Sequence, residues 1–204
     1  MPFKKLHNHL LEVLEQLSFT SPTPIQKSSI PVIKSGANVF CIAPKGSGKT
    51  TNLILTTLHK LKCEAVGNAP RAVIIVEDKT KVLELFDAFK VYTKYSSVRV
   101  YASYEQLHID VQKSEIYMGI DILITTPKTL QKLFLTNGVS TSAIKICSIE
   151  DADFLIQQQN QYSALVTTSE SIRKCQYVVY AEKEHPKLRR LEDYFMEYAR
   201  HISI

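Results

Sequence analysis

Eight residues, Ala43-Pro44-Lys45-Gly46-Ser47-Gly48-Lys49-Thr50, carry the strongest chemical signal in the chain. They follow the apolar run Asn38-Val39-Phe40-Cys41-Ile42 and open into Thr51-Asn52-Leu53-Ile54-Leu55, which reads as the start of a helix. Strand, glycine turn, Lys-Thr and helix, in that order, make a polyphosphate cradle. Backbone N–H groups of such a turn converge on an anion, and the helix macrodipole adds partial positive charge at the same point. Gly46 and Gly48 permit backbone angles and a closeness of approach that a side chain forbids. Lys49 is placed to reach the β- and γ-phosphates, and the Thr50 hydroxyl to ligate Mg²⁺. Pro44, Lys45, Ser47 and Thr51 complete the expected lining. Ala43 stands where the general pattern begins with glycine. A second chemical group, Glu150-Asp151-Ala152-Asp153, directly follows another apolar run.

The chain that must position these groups has 204 residues, long enough for one generous domain and short for two. An apolar share of 45% and a charged share of 22% are those of an ordinary globular protein. No apolar run approaches the roughly 20 residues that span a bilayer, and the amino terminus lacks the apolar core of a signal peptide. No membrane is therefore expected. Cys41, Cys63, Cys147 and Cys175 show no paired spacing that suggests zinc or a redox couple, which makes the cytoplasm the expected compartment. The formal charge of +5 is compatible with a polyanionic partner without requiring one. The six histidines form no cluster, and Lys187-Leu188-Arg189-Arg190 reads as a solvated helix face.

Leu6, Leu10, Val13, Leu14 and Leu17 recur at helical steps and predict a helix over 4–17. Two prolines in Ser21-Pro22-Thr23-Pro24 end it, and a second helix runs from Ile25 to Lys34. Apolar, β-branched runs then alternate with helical patterns. Strands are expected at 72–76, 98–101, 121–126, 144–149 and 176–180. Helices are expected over about 82–92, from Pro127, over 162–173, and from Pro186 with Leu188, Leu191, Phe195, Tyr198 and Ile202 on one face. Gln157 to Gln161 reads as a short polar loop. Alternation of this kind implies an α/β fold of three layers, a mainly parallel sheet covered by helices on both sides. Right-handed crossovers then bring the glycine turn and the strand ends to one edge.

At Phe19-Thr20-Ser21-Pro22-Thr23-Pro24-Ile25-Gln26 and the glycine turn together, the sequence resembles the first RecA-like domain of the DEAD-box RNA helicases. The first stretch is similar to the family's Q motif, and the second to its Ala-x-x-Gly-x-Gly-Lys-Thr. The resemblance implies a RecA-like P-loop domain spanning 1–204, with Q-motif helices over 1–34 and the P-loop core over 35–204. It implies ATP or ADP with Mg²⁺ as ligands. Thr23 and Gln26 then belong to the adenine site, with Gln26 reading the base through both faces of its amide and Phe3 stacking on it. The acidic motif, Asp-Glu-Ala-Asp in the family, reads Glu150-Asp151-Ala152-Asp153 here. Glu150 takes the place of the metal-holding acid, and Asp151 that of the water-polarising acid, one methylene short. A displacement of about 1 Å in a catalytic group costs roughly a hundredfold in rate. The expected catalytic residues are thus Lys49, Glu150 and Asp151, and the expected metal ligands Thr50 and Glu150.

The RNA-facing motifs depart further. Pro-Thr-Arg-Glu-Leu is replaced by Glu77-Asp78-Lys79-Thr80-Lys81, and Gly-Gly by Ala102-Ser103. Thr-Pro-Gly-Arg is replaced by Thr126-Pro127-Lys128-Thr129, and Ser-Ala-Thr by Tyr180-Ala181-Glu182. Lys79, Thr126, Lys128 and Thr129 are the residues left to contact RNA, without the guanidinium fork that grips phosphate. Ile204 falls about where a linker to the family's second RecA-like domain begins. That half supplies an arginine finger, worth on the order of 10³ to 10⁵ in rate in related phosphoryl transfer. The expectation is an ATP/ADP-binding domain with weak or partner-dependent, RNA-stimulated ATPase activity that does not unwind alone. Two alternatives are a helicase subunit completed by a second protein that supplies the missing domain, and a nucleotide-independent interaction module.

Overall fold

The computed structural model of the protein describes residues 3, 5–172 and 174–204. Its centre is a sheet of seven strands: β1 (Val39–Ile42), β2 (Ala72–Ile75), β3 (Val100–Ser103), β4 (Ile122–Thr125), β5 (Ile146–Ile149), β6 (Gln176–Ala181) and β7 (Arg200–Ser203). Their order across the sheet is β3-β4-β2-β5-β6-β1-β7, and every adjacent pair is parallel. The expected parallel α/β architecture is therefore realised, and more strictly than expected.

Side chains of each strand alternate between two cores. Val39, Cys41, Ala72, Ile74, Ile122, Ile124, Ile146, Val178 and Tyr180 face one core. Phe40, Ile42, Val73, Ile75, Leu123, Cys147, Ile149, Tyr177 and Val179 face the other. Both faces are covered, which is why the strands read as continuous apolar runs rather than as alternating ones. The first core is closed by α1 (Asn8–Gln16), α2 (Pro24–Lys34), α3 (Lys49–Lys60) and α4 (Lys79–Thr93). The second is closed by α5 (Ile109–Met118), α6 (Pro127–Leu135), α7 (Phe154–Gln157), α8 (Gln159–Ser169) and α9 (Pro186–Arg189). Among the described residues no helix is long and apolar enough to cross a membrane.

Two sequence expectations change, and one stretch that carried none gains a helix. The last helix is short: α9 passes into a 3₁₀ turn over Arg190–Asp193, and Ile202 lies in β7, paired with Cys41 of β1. Leu188 and Leu191 are buried as the helical period required, but Tyr198 is exposed with φ at +58°. The period beyond Leu191 was a coincidence of residue types. Gln157 to Gln161, expected as a loop, lies almost wholly in α7 and α8, with Gln158 alone between them. The stretch between β3 and β4, which had no clear period, contains α5. Lys4 and Arg173, at the expected ends of two helices, lie outside the described residues; those helices are observed over Asn8–Gln16 and Gln159–Ser169.

Candidate functional site

Strand register carries the two chemical segments to one edge. β1, β6, β5 and β2 are consecutive neighbours, and all run toward the same side. Their carboxyl ends deliver the glycine turn, Glu182, Glu150 and Glu77 respectively. Ala43 N–H donates to Ala181 O at 3.1 Å, and Glu150 N–H to Ile75 O at 2.9 Å, so the ladder continues into the site.

The glycine turn has the backbone its sequence requires. Gly46 and Gly48 have φ of +79° and +94°, and Gly48 is the N-cap of α3. A Cβ on Gly48 would meet Gln26 Nε2 at 2.6 Å, so this glycine is needed for close approach as well as for its angle. Gln26 is buried, and its amide has two structural bonds. Nε2 donates to Gly48 O at 3.0 Å, and Oε1 accepts from Thr23 N–H at 3.0 Å. An amide has two N–H donors and two acceptor lone pairs, so one of each remains for a base edge. Gln26 is first of all the strut between the start of α2 and the turn. Ser29 and Asn52 extend that contact: Asn52 Nδ2 donates to Ser29 Oγ at 2.6 Å in the α2–α3 interface.

Lys49 is buried and folded back, its ammonium donating to Ala43 O at 2.7 Å and Pro44 O at 3.1 Å. Thr50 and Glu150, 100 residues apart in sequence, meet: the Thr50 hydroxyl donates to Glu150 Oε1 at 2.6 Å. Burial, opposed by the Thr50 hydrogen bond and aggravated by nearby Asp151, pushes the Glu150 carboxyl up to about 7. A buried acid so disfavoured as an anion is suited to a cation that compensates it. Asp151 has φ of +43°, a left-handed conformation that Asp tolerates better than most L residues. Asp153 Oδ2 accepts from Glu182 N–H at 2.8 Å, tying the acidic turn to the end of β6.

Two cavities adjoin these groups. One, of about 360 Å³, is lined by Lys45, Gly46, Gly48, Lys49, Thr50 and Thr51 from the turn and α3, with Lys81, Glu84, Glu150 and Asp151 opposite. The other, of about 320 Å³, continues from Lys45, Lys81, Glu150 and Asp151 to Glu77, Asp153 and Glu182. A third, of about 650 Å³, brings Phe3, Pro22 and Gln26 together beside α2. An adenine nucleotide fits this set: a glycine cradle for phosphates, a Thr-Glu pair for Mg²⁺, and an apolar recess with an amide for the base. The Ser47 hydroxyl, buried without a partner among the described residues, is a further polar group available to such a ligand. Size alone does not locate the site. Another cavity of about 650 Å³, lined by Pro70, Lys113, Tyr117 and Gly138, lies by the amino ends of the strands and holds none of these groups.

The expected RNA residues separate into two kinds. Lys79 and Lys128 are exposed at the starts of α4 and α6, on the ends of the adjacent strands β2 and β4. The Lys79 ammonium lies 5.1 Å from the centre of the Tyr104 ring. Thr126 and Thr129 are both buried. Thr126 Oγ1 accepts from Thr129 N–H at 3.2 Å and donates to Thr129 Oγ1 at 3.0 Å, so these hydroxyls cap α6. The helix start at Pro127 engages the hydroxyls of these two residues, expected to contact RNA, in its own cap.

Six further residues of the site escaped the sequence reading. Lys81 and Glu84 face the glycine turn, together with Leu85 and Ala88. Their spacing of three, four and seven along α4 was the available signal. Gln158 Nε2 donates to Glu77 Oε1 at 2.6 Å, and Gln161 Nε2 to Glu77 O at 3.2 Å, which gives the glutamine-rich segment a place at the same edge.

Comparison with known proteins agrees with this geometry. Residues 23–181 match the DEAD/DEAH box helicase family. The probable ATP-dependent RNA helicase ddx52 of Dictyostelium discoideum is 29% identical over 172 residues, which is 82% of this chain and 25% of the relative. DEAD-box ATP-dependent RNA helicase 57 of Arabidopsis thaliana is 30% identical over 150 residues, 74% of this chain and 27% of the relative. The chain thus spans about a quarter of the length of these relatives. Among solved structures, a DEAD box protein from the hyperthermophile Methanococcus jannaschii superposes with a TM-score of 0.88 at 16% identity, covering 98% of this chain and 54% of the other. The yeast DEAD-box splicing factor Prp28 gives 0.85 at 21%, covering 98% and 50%. At those identities the superpositions speak for the fold, and the family match over residues 23–181 for the lineage: this chain belongs to the DEAD/DEAH box helicase family.

Proposed function

We propose that these 204 residues bind ATP and ADP with Mg²⁺ and hydrolyse ATP weakly, or only when RNA and a partner complete the site, without unwinding RNA by themselves. The observation that carries the reading is the meeting of Thr50 and Glu150 at 2.6 Å beside the glycine turn. No requirement of folding needs a hydroxyl and a half-neutral buried acid at the mouth of an anion cradle. Lys49 supplies a cation to the phosphates after leaving the two carbonyls it now touches. Thr50 and an ionised Glu150 would hold the metal, and Mg²⁺ would neutralise charge on the phosphates. Gln26 and Phe3 hold the base.

Asp151 supports the weak-turnover part of the reading. Its carboxylate lies one methylene short of the family's glutamate, and a misplacement on that scale costs roughly a hundredfold. RNA contact rests on Lys79 and Lys128. Glu105 and Glu182 at the same edge repel a phosphate backbone, which keeps such contact weak. A second RecA-like domain, in another chain or elsewhere in the same protein, would close the cavities that now open between α4 and the acidic turn. A phosphate-release assay, with and without single-stranded RNA, tests this directly. Turnover barely above background, raised by RNA or by an added second domain, supports the reading. Fast RNA-independent turnover, or strand separation by this chain alone, contradicts it.

A further inference from the structure

Lys81 is a cation in the nucleotide cavity that neither the glycine turn nor the acidic turn provides. It is the third residue of α4, and its backbone N–H donates to the N-cap Asp78 Oδ1 at 2.9 Å, which fixes the first helical turn. Its side chain lines both cavities at the site, opposite Lys45 and beside Glu150 and Asp151. The ammonium bonds Glu84 Oε2 at 2.9 Å. The Glu84 hydrogen bond, and behind it the charges of Asp151 and Glu150, hold Lys81 above the usual lysine range against a small burial penalty. Glu84 pairs with this ammonium directly, and Glu150 and Asp151 line the same cavity. Lys49, buried in the same cavity, is bonded to backbone carbonyls of the turn.

The same helix contains a comparison. Lys90 and Asp87 form a pair of the same i,i+3 kind at 2.8 Å, but they lie outside both cavities. Partly exposed pairs of this sort are weak, so Lys81 gives up Glu84 readily to an oxyanion with more charge. The glycine turn cradles the phosphates nearest the base, and Thr50 with Glu150 marks the metal beyond them. An outermost phosphate would then lie nearest the part of the cavity that Lys81 and Asp151 line. Without Lys81 the cavity keeps Lys45 and Lys49 against Glu84, Glu150 and Asp151, and tolerates the extra negative charge of a triphosphate less well.

Resting on the nucleotide-binding reading, we propose that Lys81 binds the terminal phosphate of a nucleoside triphosphate held by the glycine turn, and so sets the preference of this chain for triphosphate over diphosphate. The test is calorimetric titration of the full chain with Mg·ADP and with a non-hydrolysable Mg·ATP analogue, for the wild type, Lys81→Met, Lys81→Arg, Lys90→Met and Lys49→Ala. Loss of one charge-assisted contact predicts triphosphate affinity about tenfold weaker in Lys81→Met, with ADP affinity changed less than about twofold. Lys81→Arg keeps the wild-type ratio, and Lys90→Met alters neither affinity. An unchanged triphosphate-to-diphosphate ratio in Lys81→Met, or the same shift in Lys90→Met, overturns the role of Lys81 while leaving nucleotide binding intact. A wild type that binds neither ligand, or a Lys49→Ala variant that binds both as well as the wild type does, sinks the nucleotide reading and this inference with it.

Discussion

At the scale of single residues, Glu150 is the most informative group in the molecule. Its ordinary value is 4.5 and burial lifts it to about 7, partly offset by the Thr50 hydrogen bond. Below 4.5 the acid is protonated whether the chain is folded or not, and it contributes nothing. Between 4.5 and 7 the unfolded chain releases the proton and the folded chain keeps it, so stability falls as pH rises. Above 7 the full cost of burying the anion is present, on the order of 3 kcal/mol. Glu150→Gln keeps an acceptor for Thr50 and removes the charge. Thermal melts in EDTA are therefore expected to show the variant more stable than wild type at pH 8, with the difference gone near pH 4.5. A difference independent of pH contradicts the account. Local spacing made half of this site legible: Gly46, Gly48, Lys49 and Thr50 sit within five residues and announce their chemistry. Glu150 could be named from its motif, but its bond to Thr50 is a fact of register across β1, β6 and β5, which no local pattern contains.

At the scale of elements, the site is a joint between α2, α3 and α4 on the carboxyl edge of the sheet. Gln26 makes the joint between the first two by bonding Gly48 O. Gly46 and Gly48 separate two uses of glycine. A Cβ on Gly46 meets nothing within 4 Å, whereas one on Gly48 strikes Gln26 Nε2 and Thr23. Both positions have a left-handed φ, so alanine at either costs about 1–3 kcal/mol of strain. Only Gly48→Ala must also displace the Gln26 amide. It is expected to melt below Gly46→Ala and to lose more nucleotide affinity, which paired melts and titrations would check; equal losses would separate Gln26 from the turn. Element types were readable where period and breakers agreed, as in α2 after Pro22 and Pro24. They were unreadable where residue types misled. β7, Arg200-His201-Ile202-Ser203, is an edge strand with mostly exposed side chains, so nothing apolar marks it. The face of α4 that carries Lys81 and Glu84 was hidden for the opposite reason: polar residues that line a cavity look like polar residues in solvent.

At the scale of the whole molecule, chemistry and stability occupy opposite edges of the sheet. The carboxyl edge holds the glycine turn and the acids. At the amino edge, Asp121 is completely buried just before β4. It accepts from Arg71 at 2.7 Å, from Arg99 Nε at 2.9 Å, and from the Val66 and Arg99 N–H groups at 3.0 Å each. Arg71 precedes β2 and Arg99 precedes β3, so one carboxylate ties three neighbouring strands. Burial alone would raise this acid, but the Arg99, Val66 and Arg71 bonds outweigh it and hold it below the usual carboxylate range. Its contribution is present above the unfolded value and lost as pH falls through the folded one. Asp121→Asn leaves two guanidinium groups without their anion and is expected to cost about 3–5 kcal/mol. Urea melts at pH 7 would check this, with nucleotide affinity unchanged in the folded fraction; a loss below 1 kcal/mol would remove Asp121 from its place in the fold. Three residues at 71, 99 and 121 gave no sequence signal, because only the strand order makes them neighbours.

Whether the glycine turn is a working phosphate cradle is measured most directly by titration of Mg·ADP into the chain and into Lys49→Ala by calorimetry. The prediction is saturable one-to-one binding by the wild type and none by the variant, with both melting cooperatively. No heat of binding from a folded wild type, or equal affinity in the two proteins, would contradict it.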